Sequence, residues 1–168
     1  QQVMTTDQGS QAQSEYAGLR YYGPVVKQVL DRTGLDVDQR SLTVKQVLFS
    51  SAIQHGEGSG GRRIFENALA ALNYPPSVPT TTAPTDAALI RAVYAERRRG
   101  NGMAYFPSST AAARQSVVNR FHNEEADAHK SLAQEIKKAQ ETPPTVDPTD
   151  NSAATETVKP TAPPSNAP

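Results

Sequence analysis

TVKQVLFSSAI, from Thr43 to Ile53, predicts the buried central helix against which the other helices pack. Thr43 and Gln46 have the spacing of a capping box, and the apolar residues after them fall on most sides of a helix. A helix that is apolar nearly all round has to be covered by its neighbours. Several of its residues are β-branched, so the run also allows a strand. Gly56 ends the element in either case.

QHGEGSGG, residues 54–61, follows directly as a glycine-rich corner. Glycine has no Cβ, so the backbone can turn sharply there and a ligand can approach it closely. A carboxylate on such a corner, here Glu57, could act as an acid, a base or a nucleophile. The glycine spacing also matches a dinucleotide fingerprint. That motif needs a strand before it and an acidic residue roughly 20 positions later, and the sequence predicts neither.

Four further helices are predicted from the spacing of apolar residues, so the fold class is all-α with about five helices. Gly23-Pro24 interrupts the first of them and Gly34 stops it. The last is a long helix whose main apolar contacts are predicted to be Val117, Val118, Phe121, Leu132 and Ile136. The four helices are predicted at residues 16–30, 59–72 (capped by Ser59 and stopped by Pro75-Pro76), 85–99 (opened by Thr85 and Asp86, closed by Gly100-Asn101-Gly102) and 108–140.

The two ends of the chain are too polar to join a core. Gln1–Ser14 is rich in Gln, Thr and Ser and predicts a flexible arm, whereas Thr142–Pro168 holds seven of the 13 prolines and predicts an extended tail. Residues 15–141 then form the helical domain. Ordering such ends is costly without a partner, so we expect both to contact neighbouring subunits of an oligomeric assembly.

Composition excludes several classes of function. The 17 basic and 17 acidic side chains balance, so no nucleic-acid partner is predicted. No cysteine is present, which excludes disulfides and thiolate metal sites. No apolar run reaches the roughly 20 residues of a membrane span.

His122, Glu125 and His129 share a helix face and could hold zinc. Isolated histidines on a charged helix more often face water, so neither a metal nor a cofactor is predicted.

Two glutamates are candidate catalytic residues for glycoside cleavage, which uses a pair of carboxyl groups. Glu96 follows Leu89 and Val93 at helical spacing, so it lies toward the apolar face, where burial would keep it protonated as the acid. Glu57 precedes a helix N-terminus, whose partial positive charge favours the ionised base. The roles reverse if the corner faces a dry cleft. The alternative for Glu57 is an exposed loop residue. The alternative for Glu96 is a structural ion pair with Arg91, Arg97 or an arginine from another helix.

Four residues near these glutamates are predicted to contact a substrate: Gln54, His55, Tyr94 and Tyr105. His55 either orients the substrate or has a purely structural role. The run Arg97-Arg98-Arg99 ends its helix, where cations suit the helix dipole, and an anionic ligand is the second interpretation.

Three strings, VLFSSAIQHG (47–56), AVYAER (92–97) and SVVNRFHNEE (116–125), resemble segments of phage virion-associated peptidoglycan hydrolases. These belong to the lysozyme-like helical superfamily that includes lytic transglycosylases and chitosanases. The resemblance implies a lysozyme-like domain that cleaves peptidoglycan glycan strands, as a muramidase or transglycosylase. It would be carried in the virion and act in the host envelope, in the periplasm, during genome entry. Glu57 would correspond to the glutamate that ends the superfamily's central helix, although Gly58 stands where transglycosylases commonly have serine.

The rival hypothesis is a non-enzymatic structural component of a phage virion, of a tail or ejection assembly, or of a secretion assembly. Its polar ends would dock onto neighbouring subunits. A third hypothesis, a secreted antibacterial effector, shares the chemistry of the first.

Overall fold

The computed structural model describes residues 18–56, 60–74 and 82–141, and within these ranges all regular structure is helical. The predicted all-α class with five helices is confirmed. The predicted arm and tail lie outside the described residues, so the domain boundaries stay predictions. The five helices are α1 (Gly23–Thr33), α2 (Leu42–His55), α3 (Gly61–Ala71), α4 (Asp86–Arg97) and α5 (Ala111–Glu141), with a π-helical turn at Gly18–Tyr22 and a 3-10 turn at Val37–Gln39.

Helix α2 is central, as its apolar composition predicts, and contacts each of the other four helices. Val44, Val47, Leu48 and Ala52 are buried on it. One face remains open, however, because the side chain of Ile53 is 50% exposed. A helix that is apolar nearly all round therefore has one side that no described residue covers.

The predicted capping box at the start of α2 is wrong. The helix begins one residue earlier, at Leu42, and the side chain of Ser41 accepts a hydrogen bond from the amide of Val44 at 3.3 Å. Glu135 of α5 replaces the predicted cap, because its carboxylate accepts from the amides of Leu42 at 3.0 Å and Thr43 at 2.8 Å. Anionic groups suit the positive end of a helix.

Helix α4 starts beside the same point, capped by Thr85 as predicted. Its first residue, Asp86, accepts from the amide of Ser41 at 3.0 Å and pairs with Arg40 at 2.6 Å. Arg40 also donates to the carbonyl of Pro84. We call Arg40, Ser41, Thr43, Asp86 and Glu135 the capping cluster.

Gly61 sets the close approach of α3 to α2. A Cβ at this position would lie 2.9 Å from the Cα of Ala52, which no side chain tolerates without a backbone shift. Ser59, the predicted cap of α3, lies outside the described residues. On the other side of the corner Gly56 ends α2 with φ of 84°, a conformation that favours glycine.

Helix α5 is longer than its partners, with 31 residues against 14 in α2. Phe121 and Leu132 are buried as predicted, but the prediction for Ile136 is wrong, since it is 51% exposed. Ile136 and Ala139 line a hollow of about 390 Å³ together with Asp86 and Ala87 at the start of α4. No helix in the described part of the chain combines the length and apolar character needed to cross a bilayer.

Candidate functional site

The residues predicted to form a site meet at one end of the bundle, where α2 and α4 finish and the turn after α4 folds back. Contacts within this end join Gln54 to Arg97, Tyr94 to Arg97, Glu96 to Tyr105, and Tyr105 to His55. The remaining predicted residue, Glu57, lies outside the described residues.

Glu96 links three parts of the fold. Its Oε1 accepts from Asn67 Nδ2 of α3 at 2.8 Å and from the Tyr105 hydroxyl at 2.5 Å. Arg99 Nε lies 3.0 Å from both carboxylate oxygens. The side chain is only 11% exposed, in agreement with the predicted position toward the apolar face. These contacts match the structural alternative, with Arg99 rather than Arg97 as the ion-pair partner.

His55 lies in an aromatic cage. Its ring centroid is 5.2 Å from Tyr105, 5.4 Å from Phe106 and 6.2 Å from Phe121. The Nε2 atom is buried and has no hydrogen-bond partner. Burial raises the pKa of the neighbouring Tyr105 hydroxyl, and its hydrogen bond to Glu96 raises it further.

The pKa of His55 falls to about 4, first because burial disfavours the charged ring and second because Arg97 and Arg120 repel it. The ring is therefore neutral at pH 7, and a neutral ring leaves Nε2 able to accept only if its Nδ1 carries the proton. Its contacts are those of a packed side chain, the structural one of its two predicted roles.

Arg97 is fully buried, at 0% exposure. Its guanidinium carbon lies 4.1 Å from the centre of the Phe121 ring and 4.9 Å from that of Tyr94, within the range of a cation–π contact. Nη1 lies 3.1 Å from Glu124 Oε2, and Nη2 donates to Gln54 Oε1 at 2.5 Å. Burial lowers the pKa of Arg97, and Glu124 opposes that shift.

Several polar atoms here are buried without a hydrogen bond: Nε and Nη1 of Arg97, Oε2 of Glu124, and Nε2 of His55. The contact between Nη1 and Oε2 is close enough for an ion pair but lies outside hydrogen-bonding geometry. Unsatisfied buried polar atoms are uncommon in folded proteins, so their concentration here makes this region a candidate functional site. We call Gln54, His55, Tyr94, Arg97, Phe121 and Glu124 the arginine cluster.

An open groove runs between α2 and α5 beside the arginine cluster. Its main hollow has a volume of about 510 Å³, and a second hollow of about 260 Å³ continues it along the same two helices. Gln46, Ser50 and Glu124 line both hollows. The groove, as the term is used below, is the main hollow, lined by Gln46, Phe49, Ser50, Ile53, Gln54, Arg120 and Glu124.

Arg120 and Glu124 were not predicted as site residues, and Arg97 was predicted first as a helix-terminal cation and second as a ligand of an anion. For Arg97 the sequence carries a signal, because it stands four and eight positions after Val93 and Leu89 and so continues the buried stripe of α4. No comparable pattern marks Glu124, whose partner Arg97 lies on another helix.

Residues 2–125 match the family model described as type VI secretion system spike protein VgrG3-like, C-terminal. The chain belongs to this family. The part that matches the spike family contains α1 to α4 and the first half of α5, and therefore the arginine cluster and the groove. Curated proteins and solved structures give no significant match.

The predicted membership of phage virion-associated, lysozyme-like peptidoglycan hydrolases is wrong, because the family that matches is that of a secretion-system spike. The predictions of a bacteriophage virion, a tail and genome ejection are wrong for the same reason. Short apolar helical strings recur in unrelated proteins, which explains the misleading resemblance. The spike family places the chain in an oligomeric secretion assembly, and so supports the rival hypothesis of a structural component.

Proposed function

We propose that this chain is a non-catalytic helical module of a type VI secretion spike, which acts by docking within the assembly. The observation that carries the proposal is the family match over residues 2–125. The module has a fixed core around α2 and an open groove on one side, an arrangement suited to contact with another protein.

The environment of Glu96 supports a structural role. A general acid has to come within roughly 2.6 to 3.2 Å of the atom that it protonates. Glu96 Oε1 already accepts from Asn67 and Tyr105, Arg99 contacts both oxygens, and the side chain is nearly covered. Glu96 is also absent from the lining of the groove. Its carboxylate joins α3, the end of α4 and the turn that follows α4.

Substitution of Glu96 by glutamine tests the proposal. The amide retains an acceptor for Asn67 and Tyr105 but loses the charge that pairs with Arg99. Secretion by the bacterium that carries this spike should stay within about twofold of wild type. Arg99 is 58% exposed, so solvent screens the ion pair that is lost, and such a pair contributes about 1 kcal/mol or less. Loss of secretion in Glu96→Gln with wild-type melting temperature and wild-type spike assembly would show that the carboxylate acts chemically.

Assembly itself is the second measurement. The chain co-expressed with the spike of the same bacterium should elute with it at constant stoichiometry in size-exclusion chromatography with light scattering. Glu96→Gln should co-elute equally, and Glu141→Gln, at the exposed end of α5, serves as the matched control. A wild-type chain that always elutes apart from the spike contradicts the proposal.

A further inference from the structure

The charged residues that line the groove, Arg120 and Glu124, balance, and the buried Arg97 beside it adds a further positive charge. Glu124 is shared between two arginines: Oε2 lies 3.1 Å from Arg97 Nη1 and Oε1 lies 3.3 Å from Arg120 Nε. Two guanidinium charges therefore face one carboxylate, which leaves a net charge of +1. Both arginines contribute to the lowered pKa of His55, an independent sign of the same positive field.

The two arginines also keep unused donors. Arg97 is completely buried, and its Nε and Nη1 have no hydrogen-bond acceptor. Arg120 lies at the surface of the groove, with 53% of its side chain exposed, and Glu124 is its ion-pair partner among the described residues. A guanidinium presents its N–H groups as a planar fork that matches a carboxylate.

The α2 side of the groove suits a peptide. Gln46, Ser50 and Gln54 follow one another at intervals of four residues and line the same face, where their amide and hydroxyl groups can pair with backbone N–H and C=O groups. Phe49 and the half-exposed Ile53 form an apolar border that can cover a side chain. The volume of about 510 Å³ lies within the range of ligand sites in proteins.

We propose that the groove binds an acidic peptide segment of a partner protein, with Arg120 as the ion-pair partner of its carboxylate. Ser50 and Gln54 pair with the peptide backbone, and Ile53 packs against an apolar side chain of the segment. Arg97 is a positioning residue, which draws Glu124 inward so that one side of Arg120 faces the groove. The inference rests on the proposed function only for the source of the peptide.

The test uses the full chain and a capped hexapeptide that alternates leucine with aspartate or glutamate. A matched peptide has asparagine and glutamine in place of the acids. Isothermal titration calorimetry should show saturable binding of the acidic peptide and at least about tenfold weaker binding of the amide peptide, a difference of about 1.4 kcal/mol.

Arg120→Gln should weaken the acidic peptide by about tenfold or more, whereas Arg91→Gln, an exposed arginine of α4 outside the groove, should not change its affinity. Equal affinity for the two peptides, or unchanged affinity in Arg120→Gln, overturns the inference. Inorganic phosphate that displaces the acidic peptide at equal concentration also overturns it, because the groove is then a general anion site. Each of these results concerns the isolated chain, so failure here leaves the test of spike assembly unaffected.

Discussion

The two ends of α2 differ in how fully the polar groups around them are hydrogen-bonded. At its start, in the capping cluster, Ser41, Asp86 and Glu135 accept hydrogen bonds from backbone amides, and Arg40 Nε is the atom there that is buried without a partner. At its end, in the arginine cluster, buried atoms of three side chains lack hydrogen bonds.

This difference in hydrogen bonding shows that different interactions stabilise the two ends of α2. A helix start has unpaired N–H groups, and carboxylates from α4 and α5 satisfy them and suit the helix dipole. In the capping cluster the amides of Ser41, Leu42, Thr43 and Val44 therefore all have side-chain acceptors. The arginine cluster places a cation among aromatic rings and leaves donors and acceptors unused beside a groove. Exceptions to local satisfaction are expected where a protein functions.

Arg97→Met should give the largest effect. Removal of one partner from a buried ion pair typically costs about 3 to 5 kcal/mol. Glu124 keeps Arg120 as a partner at 3.3 Å, so the loss should lie at the lower end of this range. Urea unfolding followed by circular dichroism measures the loss in the free energy of unfolding. Arg91→Met, at an exposed position of the same helix, should change it by about 0.5 kcal/mol or less.

A double variant separates lost charge from lost packing. Glu124→Gln added to Arg97→Met removes the carboxylate that has lost its buried partner, so part of the stability should return. If Arg97→Met alone lowers the free energy of unfolding no more than Arg91→Met does, the arginine cluster is no more important to stability than an exposed position.

His55 should make the stability of the arginine cluster depend on pH. Its pKa is about 4 in the folded chain against 6.5 for an ordinary histidine, so the neutral ring is favoured on folding. The stability that it contributes is complete above pH 6.5 and is lost as the pH falls toward 4. Protonation adds a third cation facing Arg97 and Arg120, with Glu124 as the carboxylate nearest to them.

Urea midpoints measured from pH 7 to pH 4 test this sign. Wild type should lose stability across the window more steeply than His55→Phe, whose ring suits the aromatic cage. His122→Asn, at an exposed position of α5, should keep the wild-type slope. Equal slopes in wild type and His55→Phe would remove His55 as the cause.

Local signals in the sequence predict the helices well. Apolar spacing gives all five, Gly34 and Gly56 end α1 and α2, and Thr85 caps α4. The start of α2 could not be predicted in this way, because the carboxylate that caps it comes from Glu135, 92 residues along the chain. Such a contact depends on tertiary packing rather than on neighbouring residues.

The described residues of the predicted site lie close together, but their role as a site stays a prediction. Helix ends bring Gln54, His55 and Tyr105 to one place, as expected for residues near the corner and the turn. The role of Arg97 was missed because a terminal arginine suits the helix dipole whether or not it is buried. The function was predicted wrongly because a helical pattern specifies packing and not function. The family match, in contrast, depends on residues 2–125 as a whole.

Glu135→Gln should have the smallest of these effects. One acceptor oxygen remains to bond an amide, and the loss of charge at the helix start typically costs about 1 kcal/mol. Urea unfolding should show this decrease, and hydrogen exchange should accelerate at the amides of Leu42 and Thr43, whose acceptor is weakened. Glu141→Gln, whose charge pairs at the surface with Lys137 at 3.7 Å, should cost about 0.5 kcal/mol or less. If Glu135→Gln instead costs as much as Arg97→Met, both ends of α2 depend equally on a single charged side chain, and unsatisfied atoms no longer distinguish a functional end from a structural one.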